Sequence, residues 1–185
     1  MGPQPTTIDH AGEILVLTGP PGSGKTTTAR ALAAHPGSCK VHLHADDFWH
    51  FIRYGAVAPF RPEADAQNRI VVGVLAGAAE AYARGGYFVI VDGIVGPWFL
   101  SPFRSLAVPL HYVVLRPLLA EAQRRCRDRG GDTLRDPEPI AALHRQLSAL
   151  GELERHVVRT DGHGPDDTLD AVIAALAGGT FRLSA

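Results

Sequence analysis

The sequence predicts an α/β domain, a parallel β-sheet covered by helices on both faces. Three observations carry that prediction. Short apolar runs recur along the chain, beginning with Ile14-Leu-Val-Leu-Thr18, as strands buried on both faces require. Stretches of helical periodicity separate those runs, the alternation that gives a parallel sheet. Finally, a glycine-rich segment from Gly19 to Thr26 joins the first run to the first helical stretch, and open α/β sheets bind ligands at such junctions.

Taken in order, residues 1–13 read as a flexible leader and residues 14–180 as a single domain. The run 14–18 is the first strand. Residues 25–34 are Ala-rich with high helix propensity, and His35-Pro36-Gly37 stops them. Residues 41–44 form a second strand that ends in Ala45-Asp46-Asp47. A Pro-, Gly- and aromatic-rich segment (48–62) leads into a long helix over 63–84, whose buried stripe is Val71, Leu75, Ala78 and Tyr82. Gly85-Gly86 ends it. The third strand covers 87–91 and closes on Asp92-Gly93; the fourth covers 110–115. A helix over 118–129 breaks at Gly130-Gly131-Asp132. Asp136 caps the next, where Ile140, Leu143, Leu147 and Leu150 share a face. A fifth strand at 156–160 and a helix at 166–177 complete the chain.

Composition narrows the function. The chain has 185 residues, enough for one substantial core. Its formal net charge is −1, which argues against a nucleic-acid or anionic-membrane surface. Cys39 and Cys126 lack metal-ligand spacing and read as reduced packing residues in a cytoplasmic setting. No apolar run is long enough to span a bilayer. Lys25 and Lys40 are the only lysines, so a lysine inside the glycine segment carries weight.

Gly19-Pro-Pro-Gly-Ser-Gly-Lys-Thr26 matches the phosphate-binding loop pattern at every fixed position. Gly19, Gly22 and Gly24 let successive N–H groups point into one concavity, which Ser23 and Thr27 flank. The helix that follows adds its positive dipole end. Lys25 is expected to reach the β- and γ-phosphates of ATP, and the Thr26 hydroxyl to ligate Mg²⁺. Two further strands end in acids, on the same sheet edge as the loop. Asp92 is expected to hold Mg²⁺. Asp46 is expected to orient or deprotonate an acceptor hydroxyl. Asp47 is its neighbour on extended chain, and one of the two would face away from the reaction centre.

The loop, Asp46-Asp47-Phe48 and Val91-Asp92-Gly93 together resemble the P-loop small-molecule kinases, among them nicotinamide riboside, uridine, gluconate and shikimate kinases and chloramphenicol phosphotransferase. His44-Ala45-Asp46-Asp47-Phe48-Trp49 is similar to the Asp-Asp-Phe-aromatic motif of the riboside kinases, which implies that Asp46 is the catalytic carboxylate. The resemblance also implies a P-loop NTPase fold with a five-stranded sheet ordered 2-3-1-4-5 and a helical lid. The likeness to the riboside kinases departs after Asp92, where they usually carry Glu-Gly, and again after Phe48.

Six arginines between 116 and 135 face only Glu121, Asp128 and Asp132. Arginines around a Gly-Gly hinge suit a lid, about 124–137, that closes on the triphosphate and excludes water. The resemblance favours Arg125 and Arg129, one helical turn apart, as its working pair. It also implies that the loop around Asp161 lines the adenine. On the acceptor side, Phe48, Trp49, His50, Arg53, Tyr54 and Phe60 lie near Trp98 and Phe99, the materials of a mostly apolar pocket. Gln67, Asn68 and Arg69 can reach toward it from the long helix. His42 and His44 read as structural histidines.

The function expected is ATP-dependent phosphoryl transfer to a hydroxylated small molecule such as a nucleoside, sugar acid or antibiotic. The protein is expected to act as a monomer or homodimer, without nucleic-acid or membrane partners. A nucleoside monophosphate kinase is the near alternative and would need Arg53, Arg61 or Arg69 on an acceptor phosphate. A regulatory NTPase is the distant one; a GTP switch would need an Asn-Lys-x-Asp motif that the two lysines cannot supply.

Overall fold

A computed structural model describes residues 7–129, 134 and 136–183. Five strands form one parallel sheet: β1 Ile14–Thr18, β2 Lys40–His44, β3 Phe88–Asp92, β4 Leu110–Arg116 and β5 Val157–Arg159. Their order is β2-β3-β1-β4-β5, as the resemblance implied. Seven helices are described: α1 Lys25–Ala34, α2 Ala45–His50, α3 Asp65–Arg84, α4 Ser101–Arg104, α5 Leu119–Asp128, α6 Pro137–Gln146 and α7 Pro165–Ala177.

The all-apolar strands follow from burial on two faces. Ile14 and Val16 of β1, Val89 and Val91 of β3, and Tyr112 and Val114 of β4 pack with Val72, Leu75 and Ala79 of α3. The alternate residues Leu15, Leu17, Phe88, Ile90, Val113 and Leu115 pack with Leu32 of α1 and Val172 and Leu176 of α7. Period-two side-chain alternation therefore feeds both cores. Edge strand β2 is only half-buried, and it alternates Lys40, His42 and His44 with Val41 and Leu43.

Several expectations are corrected. The chain from Ile8 to Glu13, expected to be flexible, is packed: Ile8 is buried, its N–H donates to Pro36 O and its carbonyl accepts from Ser38 N. Gly37 permits this approach, because a Cβ there would lie 1.9 Å from Ile8 O. On α3 the buried stripe runs through Val71, Val72, Leu75, Ala76, Ala79 and Ala83, while Tyr82 is exposed. That helix grips the sheet with small side chains and leaves its large aromatic outside. The fifth strand begins at Val157 rather than His156, which ends a 3₁₀ turn over Gly151–His156. Pro97–Phe99 form a 3₁₀ turn and Ser101–Arg104 form α4, where the sequence announced neither. Among the described residues no helix is long and apolar enough to cross a membrane.

His156 is fully buried below the sheet, its ring edge-on to Tyr112 and Phe181 and its Nδ1 3.0 Å from Tyr112 O. Desolvation pushes its pKa below the ordinary histidine value, outweighing the backbone contact with Tyr112.

Candidate functional site

The site is built where β1 stops. Gly19, Gly22 and Gly24 have φ of 154°, 77° and 91°, angles that side-chain-bearing residues rarely adopt. A Cβ on Gly19 would stand 2.3 Å from Leu115 O, and one on Gly22 2.3 Å from Ala122 O. The loop thus presses its backbone against β4 and α5 and leaves its concave side free. No side chain caps α1, because its N-cap is Gly24, so its first N–H groups remain available to an anion. Ser23 is fully buried, and its Oγ has no hydrogen-bond partner among the described residues. A concavity of free donors with an orphaned hydroxyl fits a phosphate chain. Thr27, four residues beyond Ser23, is exposed.

Lys25 is half-buried beside the loop. Desolvation lowers its pKa, against the attraction of Asp46 and Asp92, while Arg129 adds to the lowering. Asp46, Asp92 and Arg129 therefore lie within electrostatic reach of Lys25. Thr26 Oγ1 donates to Asp92 Oδ2 at 2.5 Å. Asp92, fully buried at the end of β3, also meets His42 Nε2 at 2.6 Å and His44 Nδ1 at 3.0 Å, both on Oδ1. Burial by itself would raise the Asp92 carboxyl. The contacts with His42, Thr26 and His44 outweigh it and hold the pKa at about 2. Asp92 and Thr26 offer a hard oxygen pair beside the loop, a donor set that fits Mg²⁺.

The two histidines are the residues that sequence reasoning missed as part of this site. Both lie on the same face of β2, and β2 pairs His42 with Ile90 and His44 with Asp92. Their i, i+2 spacing was the available signal, but only the pairing of β2 with β3 brings them to the acid.

Asp46 does not lie on extended chain, as expected, but in the first turn of α2, where Asp46 and Asp47 meet the helix's positive end. Both are exposed. Asp46 lies 3.7 Å from His44 Nε2 and within Coulombic reach of Lys25; Asp47 has neither relation among the described residues. α2 has only six residues and no periodicity to announce it.

Between the loop and α5, a cavity of ≈ 640 Å³ is lined by Gly22, Gly24, Thr27, Arg125, Arg129 and the segment Gly162 to Pro165, among others. Arg125 is held by Glu121 Oε1 at 2.5 Å and His163 O at 2.9 Å. Arg129 is exposed just beyond α5. Asp161 does not line the cavity; its Oδ1 accepts from Leu118 N at 2.7 Å and ties the loop to the start of α5. The expected hinge at Gly130-Gly131-Asp132 and Arg135 lie outside the described residues.

On the acceptor side the two aromatic groups do meet. Trp49 and Phe99 rings are 6.2 Å apart, and Phe99 and Trp98 are 6.2 Å apart. Phe48 and Phe51 form a second pair. Arg53 is exposed, as are Tyr54 and Phe60. Gln67 and Asn68, expected to reach an acceptor, are occupied otherwise. Gln67 exchanges two 2.8 Å hydrogen bonds with the Val57 backbone. Asn68 accepts from Trp49 Nε1 and donates to Pro59 O, each at 2.8 Å. Arg69 pairs with Asp65 on the surface. These side chains fasten the 57–59 segment and Trp49 to α3.

Solved structures resemble the chain over nearly its whole length. A sugar kinase from Janibacter sp. HTCC2649 has a TM-score of 0.66 at 20% identity, over 89% of this chain and 94% of that one. The Deinococcus radiodurans tunicamycin resistance protein has 0.65 at 20%, over 90% and 95%. A gluconokinase from Sinorhizobium meliloti 1021 has 0.63 at 18%, over 91% and 94%. At these identities the likeness is one of fold. No curated protein matches the chain. Residues 14–153, from the first strand past α6, match the AAA domain family. The chain belongs to that family, with the fold of the P-loop kinases.

Proposed function

We propose that the protein is an ATP-dependent kinase that phosphorylates a hydroxyl of a small molecule. The observation that carries this reading is a glycine loop of phosphate-binding conformation whose Thr26 holds the strand-ending Asp92, with Asp46, Asp92 and Arg129 within electrostatic reach of Lys25. An NTP-binding switch has no need of an exposed carboxylate there, beside the aromatic side chains of α2.

When bound, MgATP supplies the phosphoryl group, and its metal neutralises charge on the transferring oxygens. Gly19, Gly22, Ser23, Gly24 and Thr27 cradle the phosphates through backbone N–H groups and hydroxyls. Lys25 holds the β- and γ-phosphate oxygens. Thr26 and Asp92 would ligate the metal, with His42 and His44 fixing the far oxygen of Asp92. Arg125 and Arg129, from the lid side, offset charge on the transferring group. Asp46 accepts the acceptor's hydroxyl proton and aligns its oxygen. Phe48, Trp49 and Trp98 wall the acceptor, and Arg53 orients it. Asp161 acts on the nucleotide side through loop position rather than direct contact.

ATP consumption against a panel of sugar acids, sugars, nucleosides and aminated or hydroxylated antibiotics tests the proposal. At least one acceptor should raise turnover well above the acceptor-free rate. Robust ATP hydrolysis that no acceptor changes would overturn the reading in favour of a regulatory NTPase.

A further inference from the structure

At the opposite end of the sheet from the phosphate loop, three side chains converge on one point. Glu13, immediately before β1, places Oε2 2.7 Å from His10 Nδ1 and 2.7 Å from His111 Nε2. The three donor atoms all lie within 4.8 Å of one another. Register explains the meeting: β1 pairs Leu15 with His111 of β4, so the residue that opens β1 lies beside the start of β4. The length of β1, about 16 Å for five residues, separates this point from the phosphate loop.

The cluster is built rather than incidental. His10 is fixed by its N–H, which donates to Ser38 Oγ at 3.2 Å, and by its ring, 5.2 Å from Phe88. The His111 ring is 97% buried, and its Nδ1 has no hydrogen-bond partner among the described residues. Glu13 and His10 are about one-fifth exposed, so water has access on that side.

We propose that His10, Glu13 and His111 form a zinc site, distinct from the nucleotide site. Two imidazole nitrogens and one carboxylate oxygen suit Zn²⁺ and disfavour Mg²⁺ or Ca²⁺, which take all-oxygen shells. A tetrahedral Zn²⁺ at about 2.1 Å from each donor needs them about 3.4 Å apart. Each nitrogen–oxygen pair therefore opens by less than about 1 Å, a small movement of the partly exposed Glu13 and His10 side chains. Water completes the fourth position. The ion staples the segment Ile8 to Glu13 to β4, two parts of the chain about a hundred residues apart, and its role is that of a structural clamp.

The test uses the full-length, chelator-stripped, nucleotide-free protein. Zn²⁺ affinity is measured by competition with a chromogenic chelator, Co²⁺ replaces Zn²⁺ for visible spectroscopy, and melting is followed with and without Zn²⁺. Wild type should bind one Zn²⁺ per chain, melt higher with it, and give the intense visible bands of tetrahedral Co²⁺. Glu13→Gln keeps the geometry but removes the charge; His10→Ala removes a partly exposed ligand. Each should weaken Zn²⁺ by more than about a hundredfold, beyond what loss of an outer-shell partner costs. Asp92→Asn, which disables the other candidate metal position, should leave Zn²⁺ affinity within about twofold. Absence of stoichiometric binding, or binding indifferent to both Glu13→Gln and His10→Ala, overturns the proposal. So does loss in Asp92→Asn alone, which assigns the ion to the nucleotide site.

Discussion

His42 Nε2 lies 2.6 Å from Asp92 Oδ1, while Thr26 Oγ1 bonds the other oxygen of the same carboxylate. The edge strand thus holds one side of the acid and the phosphate loop the other. His42→Ala should raise the Mg²⁺ concentration for half-maximal turnover by about ten- to hundredfold, the cost usual for an outer-shell partner. Direct Mn²⁺ titration in the presence of ATP should show the same loss. An unchanged metal requirement would mean that Asp92 needs no such support.

Asp46 lies within electrostatic reach of Lys25, and the roles proposed for the two can be told apart. Asp46→Asn should lower transfer by about 10²–10⁴-fold with little effect on ATP binding. Lys25→Ala should weaken ATP binding itself. Calorimetric ATP affinity and acceptor turnover separate the two; a fully active Asp46→Asn enzyme would reassign the base.

Asn68 links Trp49 to Pro59 O across the acceptor side. Asn68→Ala leaves an indole N–H and a carbonyl without partners and should cost about 1–3 kcal/mol in denaturant unfolding. The acceptor KM should rise while the KM for ATP stays put. A parallel rise in both would place Asn68 in general stability rather than in acceptor geometry.

Stability should depend on pH through His156. Burial lowers its pKa below 6.5, so the unfolded chain takes up a proton that the folded chain resists. Its contribution is complete above pH 6.5 and is lost as pH falls below that value. The loss is at most about 1.4 kcal/mol per pH unit for one group. His111 is lowered by burial as well, so His156→Gln should flatten the slope between pH 7 and 5 in part. A slope identical to wild type would show that His156 titrates alike in the folded and unfolded chain, so that burial does not lower it.

The phosphate loop was fully legible because its chemistry resides in eight consecutive residues, Gly19 to Thr26. The two-sided burial of β1, β3 and β4 was legible for a similar reason, since a strand with two cores must be apolar at every position. Asp92 could be read as a strand-ending acid from its own neighbours.

Other features were invisible at that level. α2 is too short for periodicity, so Asp46 was assigned to extended chain. Gln67 and Asn68 looked free because nothing in a linear sequence says that Val57, Pro59 and Trp49 will claim their amides. Ile8 looked like part of a loose leader until Gly37 and α1 supplied its cover.

By itself, then, the sequence determined the phosphate cradle, the α/β alternation and the acids at the strand ends, all of which depend on residues adjacent in the chain. Only the tertiary structure decided that His42 and His44 flank Asp92 and that His10, Glu13 and His111 meet at the other end of the sheet. Those contacts join residues up to 101 positions apart. They exist because strand order and register place β2 beside β3 and β4 beside β1, which local periodicity does not encode.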